Sequence, residues 1–296
     1  MAELFLDSGA FSAYSKGVVI SLEEYIQFIK KHERFLSVYA NLDVIGDPAA
    51  TWRNQITMEK AGLKPLPCFH YGEDPKFLER YLKRGYDYIA LGGMVPISKA
   101  DLLPWLDHLF LHYFTDVNGM PKVKIHGFGM SIFELLFRYP WYSVDSTSWI
   151  MTSRMGAVFV PKFRNGSFTY SEPPWKVDVS LRSPKARLVD SSHLNSFGEK
   201  EKGVILSYFE RGGFSLGRSE FKVVESGYPL QEGERWLGKP RADGTREVEV
   251  VVETGLCNSY PHRDLLCIRY LVEFERVFPK WPWAFRYGRR LRGFLG

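Results

Sequence analysis

The chain has 296 residues, 45% hydrophobic and 16% aromatic, enough to bury one large core in a single domain. No apolar run approaches the roughly 20 residues that a membrane-spanning helix needs, and the opening residues carry Glu3, Asp7 and Ser8 rather than a basic segment followed by an apolar one. The formal charge of +5 is modest and unevenly placed, with Arg286, Arg289, Arg290 and Arg292 gathered among aromatic residues at the C-terminus. Such a tail suits phosphate contact or plain solubilising surface. Three widely spaced cysteines, Cys68, Cys257 and Cys267, argue against a disulfide framework and for a reducing compartment, so the expected location is the cytoplasm.

Up to about Trp149, short β-rich runs alternate with helical patterns, the signature of repeated βα units around a parallel sheet. Strands are expected over residues 3–6, 36–43, 64–70, 88–91, 123–127 and 141–145. Ser21 with Glu24 forms a capping box ahead of Leu22, Tyr25, Ile26 and Ile29 at helical spacing. Asp74-Pro75 starts a second helix with Phe77, Leu78, Tyr81 and Leu82 inward and Gly85 as its stop. Ser98 with Asp101 opens a third that runs towards Phe114, and Ser131 a fourth with Ile132, Phe133, Leu135 and Leu136 inward.

Six strands fall short of an eight-stranded ring, so the remainder of the chain is expected to supply the rest. Asn165-Gly166 predicts a hairpin between residues 157–160 and 167–170. Residues 172–255, rich in Gly, Pro, Ser and charge, read as an irregular insertion carrying the last strands, with β-like runs at 204–208 and 248–252. Residues 263–278 predict a closing helix ended by Pro279. The expected fold is α/β, a TIM-like (β/α)8 barrel with a C-terminal insertion and a closing helix, spanning 1–296 as one domain.

In a barrel, the C-terminal ends of the strands and the loops after them form the active site. Here those positions hold Asp7, Ser8 and Gly9, then Asn41 and Asp43, then His70, then Gly92, Gly93 and Met94, then His126, Gly127 and Gly129, then Asp145. The ring is polar and rich in glycine. Paired glycines let a flat ligand lie against the backbone, and carboxylates accept hydrogen bonds from the N–H edge of a purine-like base.

The ordered set Asp7-Ser8-Gly9-Ala10-Phe11, Asp43, His70, Leu91-Gly92-Gly93-Met94, His126-Gly127-Phe128-Gly129 and Val144-Asp145-Ser146 resembles the tRNA-guanine transglycosylases. It is more similar to their phage and bacterial relatives that insert 7-deazaguanines into DNA. The resemblance covers about the first 155 residues. It departs from the family where Ala10 replaces a second glycine, Ser12 a glutamine and His70 a glutamine.

The resemblance implies base exchange at a nucleoside. Asp145 would be the nucleophile that holds the sugar as a covalent intermediate, and Asp7 the general acid/base. Asp43 and His70 would hydrogen-bond the base, with Ser8, Gly9, His126, Gly127 and Gly129 around it. The Gly92 and Gly93 amides would contact its carbonyl, Met94 and Met130 would wall its faces, and Phe11 or Tyr14 could stack on it. The tRNA-modifying members carry a structural zinc on a Cys-x-Cys-x-x-Cys cluster and a later histidine. This chain lacks that cluster, and Cys257, His262 and Cys267 match no standard zinc motif. No metal or other cofactor is therefore expected, and the expected partners are DNA, with tRNA as the alternative, and a 7-deazaguanine base. A phage-encoded chain would act in the host cytoplasm.

Two rival readings use the same residues. Asp43, His70, His126 and Asp145 could hold a divalent metal in a hydrolytic barrel. A DNA-binding barrel without catalysis is the other, against which the retention of both Asp7 and Asp145 speaks.

Overall fold

The computed structural model describes residues 4–187 and 191–287. The chain divides into two compact units, Met1–Ser146 with a segment from Pro279 onward, and Thr147–Phe278. Arg289, Arg290 and Arg292, read above as phosphate contacts, lie outside the described residues.

The first unit is a run of βα repeats. Its strands are β1 (Leu4–Leu6), β2 (Leu36–Tyr39), β3 (Cys68–His70), β4 (Tyr88–Gly92), β5 (Lys124–Gly127) and β6 (Ser143–Val144). β1 pairs with β2, and β3 to β6 pair in sequence order, every ladder parallel. A parallel bridge between Ala40 and Leu66 carries the order from the end of β2 to the approach of β3. The sheet curls: the Phe5 ring of β1 stacks on the His126 ring of β5 at 4.4 Å between centroids. No closed ring of strands is traced among the described residues.

The helices are α1 (Ala10–Ser15), α2 (Leu22–His32), α3 (Pro48–Lys60), α4 (Pro75–Lys83), α5 (Lys99–Leu109) and α6 (Phe133–Arg138). Each long helix starts where a side chain caps it. Ser21 accepts from the Glu24 amide, Asp47 from Ala50, Asp74 from Lys76 and Ser98 from Asp101. Asp47-Pro48 repeats the Asp74-Pro75 start signal, yet α3 has no clear apolar stripe and is absent from the helices expected above. A π-turn extends α5 through Phe114.

The first unit's core is aromatic. Phe110 is fully buried and lies 4.8 Å from Tyr139, 5.4 Å from both Phe114 and Trp141, and 6.0 Å from Phe285, all between ring centroids. Beside them Arg138 makes a bidentate pair with Asp107, both bonds 2.8 Å, and Tyr139 donates to the same carboxylate at 2.7 Å, which ties α6 to α5. Phe110→Ala is expected to cost about 3–5 kcal/mol in denaturant unfolding, because a ring with neighbours on every side leaves a cavity that they cannot close.

The second unit contains α7 (Ser148–Arg154), β7 (Ala157–Val160), β8 (Lys162–Arg164), β9 (Ser167–Thr169), β10 (Trp175–Asp178), α8 (Glu199–Arg211), β11 (Arg218–Glu225), β12 (Glu234–Leu237), β13 (Thr245–Glu253) and α9 (Tyr260–Val277). The expected hairpin changes partners. Asn165 and Gly166 both take left-handed backbone, φ 50° and 80°, and such a two-residue turn joins strands that abut it, so β8 and β9 pair while β7 pairs antiparallel with β10. The β-like run at 204–208 is part of α8, where Ile205, Tyr208 and Phe209 face inward at helical spacing; a short apolar run carries either period.

All named ladders of this unit are antiparallel, including the sheet β11-β13-β12, so within it they do not prolong a parallel order. The closing helix is present and starts earlier, at Tyr260. Its Arg263 is buried and donates to the carbonyls of Ser153 at 2.6 Å and Leu256 at 2.7 Å. No helix among the described residues is long and apolar enough to cross a membrane.

Candidate active site

The strand ends of the first unit gather two polar clusters with Asp7 electrostatically coupled to both. The first is built on Asp43. Its loop follows β2 and is clamped by α3: Thr51 Oγ1 accepts from the Val44 amide at 2.8 Å, and Asn54 Nδ2 donates to the Leu42 carbonyl at 2.8 Å. Asp43 Oδ1 accepts from Ser8 Oγ at 2.9 Å, and Oδ2 lies 2.8 Å from His70 Nε2. The other ring nitrogen of His70, Nδ1, lies 3.1 Å from Glu73 Oε1, while the His70 amide donates to Glu73 Oε2 at 3.0 Å. Cys68 Sγ lies 3.6 Å from Nε2. Burial disfavours a charged imidazole, but the surrounding Cys68, Asp43 and Glu73 hold the His70 pKa well above the ordinary histidine value. Burial pushes the Cys68 thiol up.

Cys68 and Glu73 were not singled out as site residues from the sequence. The signal was present: Cys68 and His70 are two apart on a strand and so share a face. Gly92, opposite them on β4, has to be glycine, since a Cβ there would stand 2.7 Å from His70 Cδ2 and 3.1 Å from Cys68 Sγ.

The second cluster is built on Asp145, which follows β6. Its Oδ1 accepts from the Gly129 amide at 2.9 Å and lies 3.5 Å from His126 Nε2. At that length the histidine contact is longer than a full hydrogen bond, and Nε2 has no other partner although it is buried. His126 Nδ1 lies 2.7 Å from Ser143 Oγ, which is 2.6 Å from the Tyr88 hydroxyl, so a chain of contacts on β4, β5 and β6 orients the imidazole. Gly129 presents its amide from a left-handed conformation, φ +66°, and a Cβ there would meet Val95 Cγ2 at 2.8 Å.

The two carboxyls are shifted in opposite directions. Burial raises Asp7 above the ordinary aspartate range; the Gly9 and Ser8 amides pull it back, and the negative charges of Asp145 and Asp43 push it up further. For Asp145 burial also acts upward, but the His126 imidazole and the Gly129 amide outweigh it and hold the pKa below the ordinary value. Both side chains open to solvent, Asp145 with 49% of its side chain exposed.

Other candidates fall differently. Phe11 and Tyr14 are exposed on α1, as a stacking surface requires, whereas Met94 and Met130 are 3% and 2% exposed and pack into the core. Gly127 closes β5 against Trp141, which a Cβ would meet at 3.0 Å. Among the described residues the groups named in the metal-hydrolase reading separate into the pairs Asp43–His70 and Asp145–His126, and the one set of three metal-ligating atoms within 4.8 Å of one another is Asp43, Cys68 and His70. Cys257, His262 and Cys267 form no such set. No family model matches the chain, and neither does any curated protein or solved structure.

Proposed function

We propose that the chain is a base-exchange transglycosylase that replaces guanine in DNA with a 7-deazaguanine through a covalent aspartyl-glycosyl intermediate. The observation that carries this reading is a pair of carboxyls at strand ends of one run of βα repeats, Asp7 after β1 and Asp145 after β6, with Asp145 held by the Gly129 amide and facing His126; their surroundings push Asp7 upward and Asp145 downward. A pair so divided supplies one acid and one nucleophile at the same pH.

Both close contacts of Asp145 fall on Oδ1, so Oδ2 is the attacking oxygen. It forms a bond to C1′ as the C1′–N9 bond to guanine breaks, and Asp7 gives its proton to the departing base. The incoming 7-deazaguanine returns a proton to Asp7, and its nitrogen attacks C1′ and frees the Asp145 carboxylate. Base recognition rests on Asp7 and on the exposed backbone at Gly93, because the facing atoms of Asp43 and His70 are engaged with each other. A barrel formed around the six parallel strands is part of the same proposal.

The test is incubation of the full chain with duplex DNA, single-stranded DNA and tRNA, each with a labelled 7-deazaguanine. Label entering DNA but not tRNA is expected. Label in tRNA alone would move the substrate to RNA, and label in none would remove the reading. A base in duplex DNA has to leave the stack to reach such a site, so single strands are expected to react at least as fast as duplex.

A further inference from the structure

We infer that Asp43, Cys68 and His70 form a binding site for a thiophilic divalent cation of the Zn2+ type. The inference does not rest on the transglycosylase reading. Its basis is the convergence of three chemically different ligand atoms, Asp43 Oδ2, Cys68 Sγ and His70 Nε2, within 4.8 Å of one another.

Geometry and support shell both fit such an ion. A tetrahedral Zn2+ with bonds of about 2.0–2.3 Å holds its ligand atoms about 3.4–3.6 Å apart. The Nε2–Sγ separation is 3.6 Å, and the Nε2–Oδ2 separation of 2.8 Å is that of the hydrogen bond that an ion would replace. His70 Nδ1 is held by Glu73, which orients the ring so that Nε2 faces the other two ligands; a carboxylate behind a histidine is the usual outer partner of a metal-bound imidazole. Ser8 likewise holds the second oxygen of Asp43.

Charge and softness fit as well. Thiolate and carboxylate together neutralise a divalent cation, which a buried site requires, and a thiolate–imidazole pair favours Zn2+ over Mg2+ or Ca2+. Binding displaces the thiol proton of Cys68 and the Nε2 proton of His70.

Cobalt(II) gives the direct test, because thiolate ligation produces a near-ultraviolet charge-transfer band. The full chain, stripped with chelator and titrated with Co2+, is expected to develop this band at about one equivalent and to lose it on addition of Zn2+. Cys68→Ser is expected to abolish the band, and Glu73→Gln to weaken Co2+ affinity by about 10- to 100-fold. Cys257→Ser and Cys267→Ser should leave it intact. Circular dichroism establishes that each variant is folded. Absence of the band from folded wild-type chain, or its survival in Cys68→Ser, would overturn the site. Since the readout is the metal alone, either result leaves the base-exchange assay to decide the enzymatic reading separately.

Discussion

Asp145→Asn is expected to abolish base exchange while leaving the fold intact. The amide oxygen of asparagine can still accept from Gly129, which bonds Oδ1 at 2.9 Å, so the loop after β6 keeps its anchor. What disappears is the carboxylate oxygen that attacks C1′, and loss of the nucleophile removes on the order of 10^4-fold or more of turnover. Wild-type chain mixed with DNA and then denatured should carry a covalent adduct, and Asp145→Asn none. Exchange at undiminished rate in this variant, with an unchanged unfolding midpoint, would end the assignment of Asp145 as nucleophile.

Asp7→Asn is expected to slow exchange by roughly 10^2- to 10^4-fold, the range for a lost general acid, and to alter its pH dependence. In the wild-type chain, attack needs Asp145 ionised and Asp7 protonated. The acid limb of kcat/KM therefore follows Asp145, below the ordinary aspartate value, and the alkaline limb follows Asp7, above it. Asparagine does not titrate, so the alkaline limb should vanish.

Stability moves the other way. A carboxyl whose pKa is raised by folding favours the native state while protonated, and this contribution is lost as pH rises through the folded-state pKa. Once ionised, Asp7 opposes folding, and replacing it by a neutral isostere should hold or raise the thermal midpoint. Asp145 has the opposite sign, since its depressed pKa favours the native state at neutral pH and that benefit fades as the solution is acidified through its folded value. A slower enzyme with an equal or higher midpoint is the result expected for Asp7→Asn. A variant both slower and less stable would make Asp7 a structural residue instead.

The amino-acid order by itself carried the six short strands of the first half and the starts of three of its long helices, while α3 escaped it. Their signals are local: Ser21, Asp74 and Ser98 cap helices through amides two or three residues away, and short apolar runs fall between them. It also placed Asp7, Asp43, His70, His126 and Asp145 at or just after strand ends. Local signals fail where two periods compete, as at 204–208, or where a turn is right but its strands are misjudged, as at Asn165-Gly166. Only the tertiary structure decided how the site residues associate. Asp43 turns to His70, while Asp145 takes the Gly129 amide and the His126 imidazole, choices made across 27 and 16 residues of chain. The pKa shifts follow from the same tertiary packing, because the burial that chiefly raises Asp7, and the Asp145 and Asp43 charges that add to it, come from chain far along the sequence, and no spacing rule contains that distance.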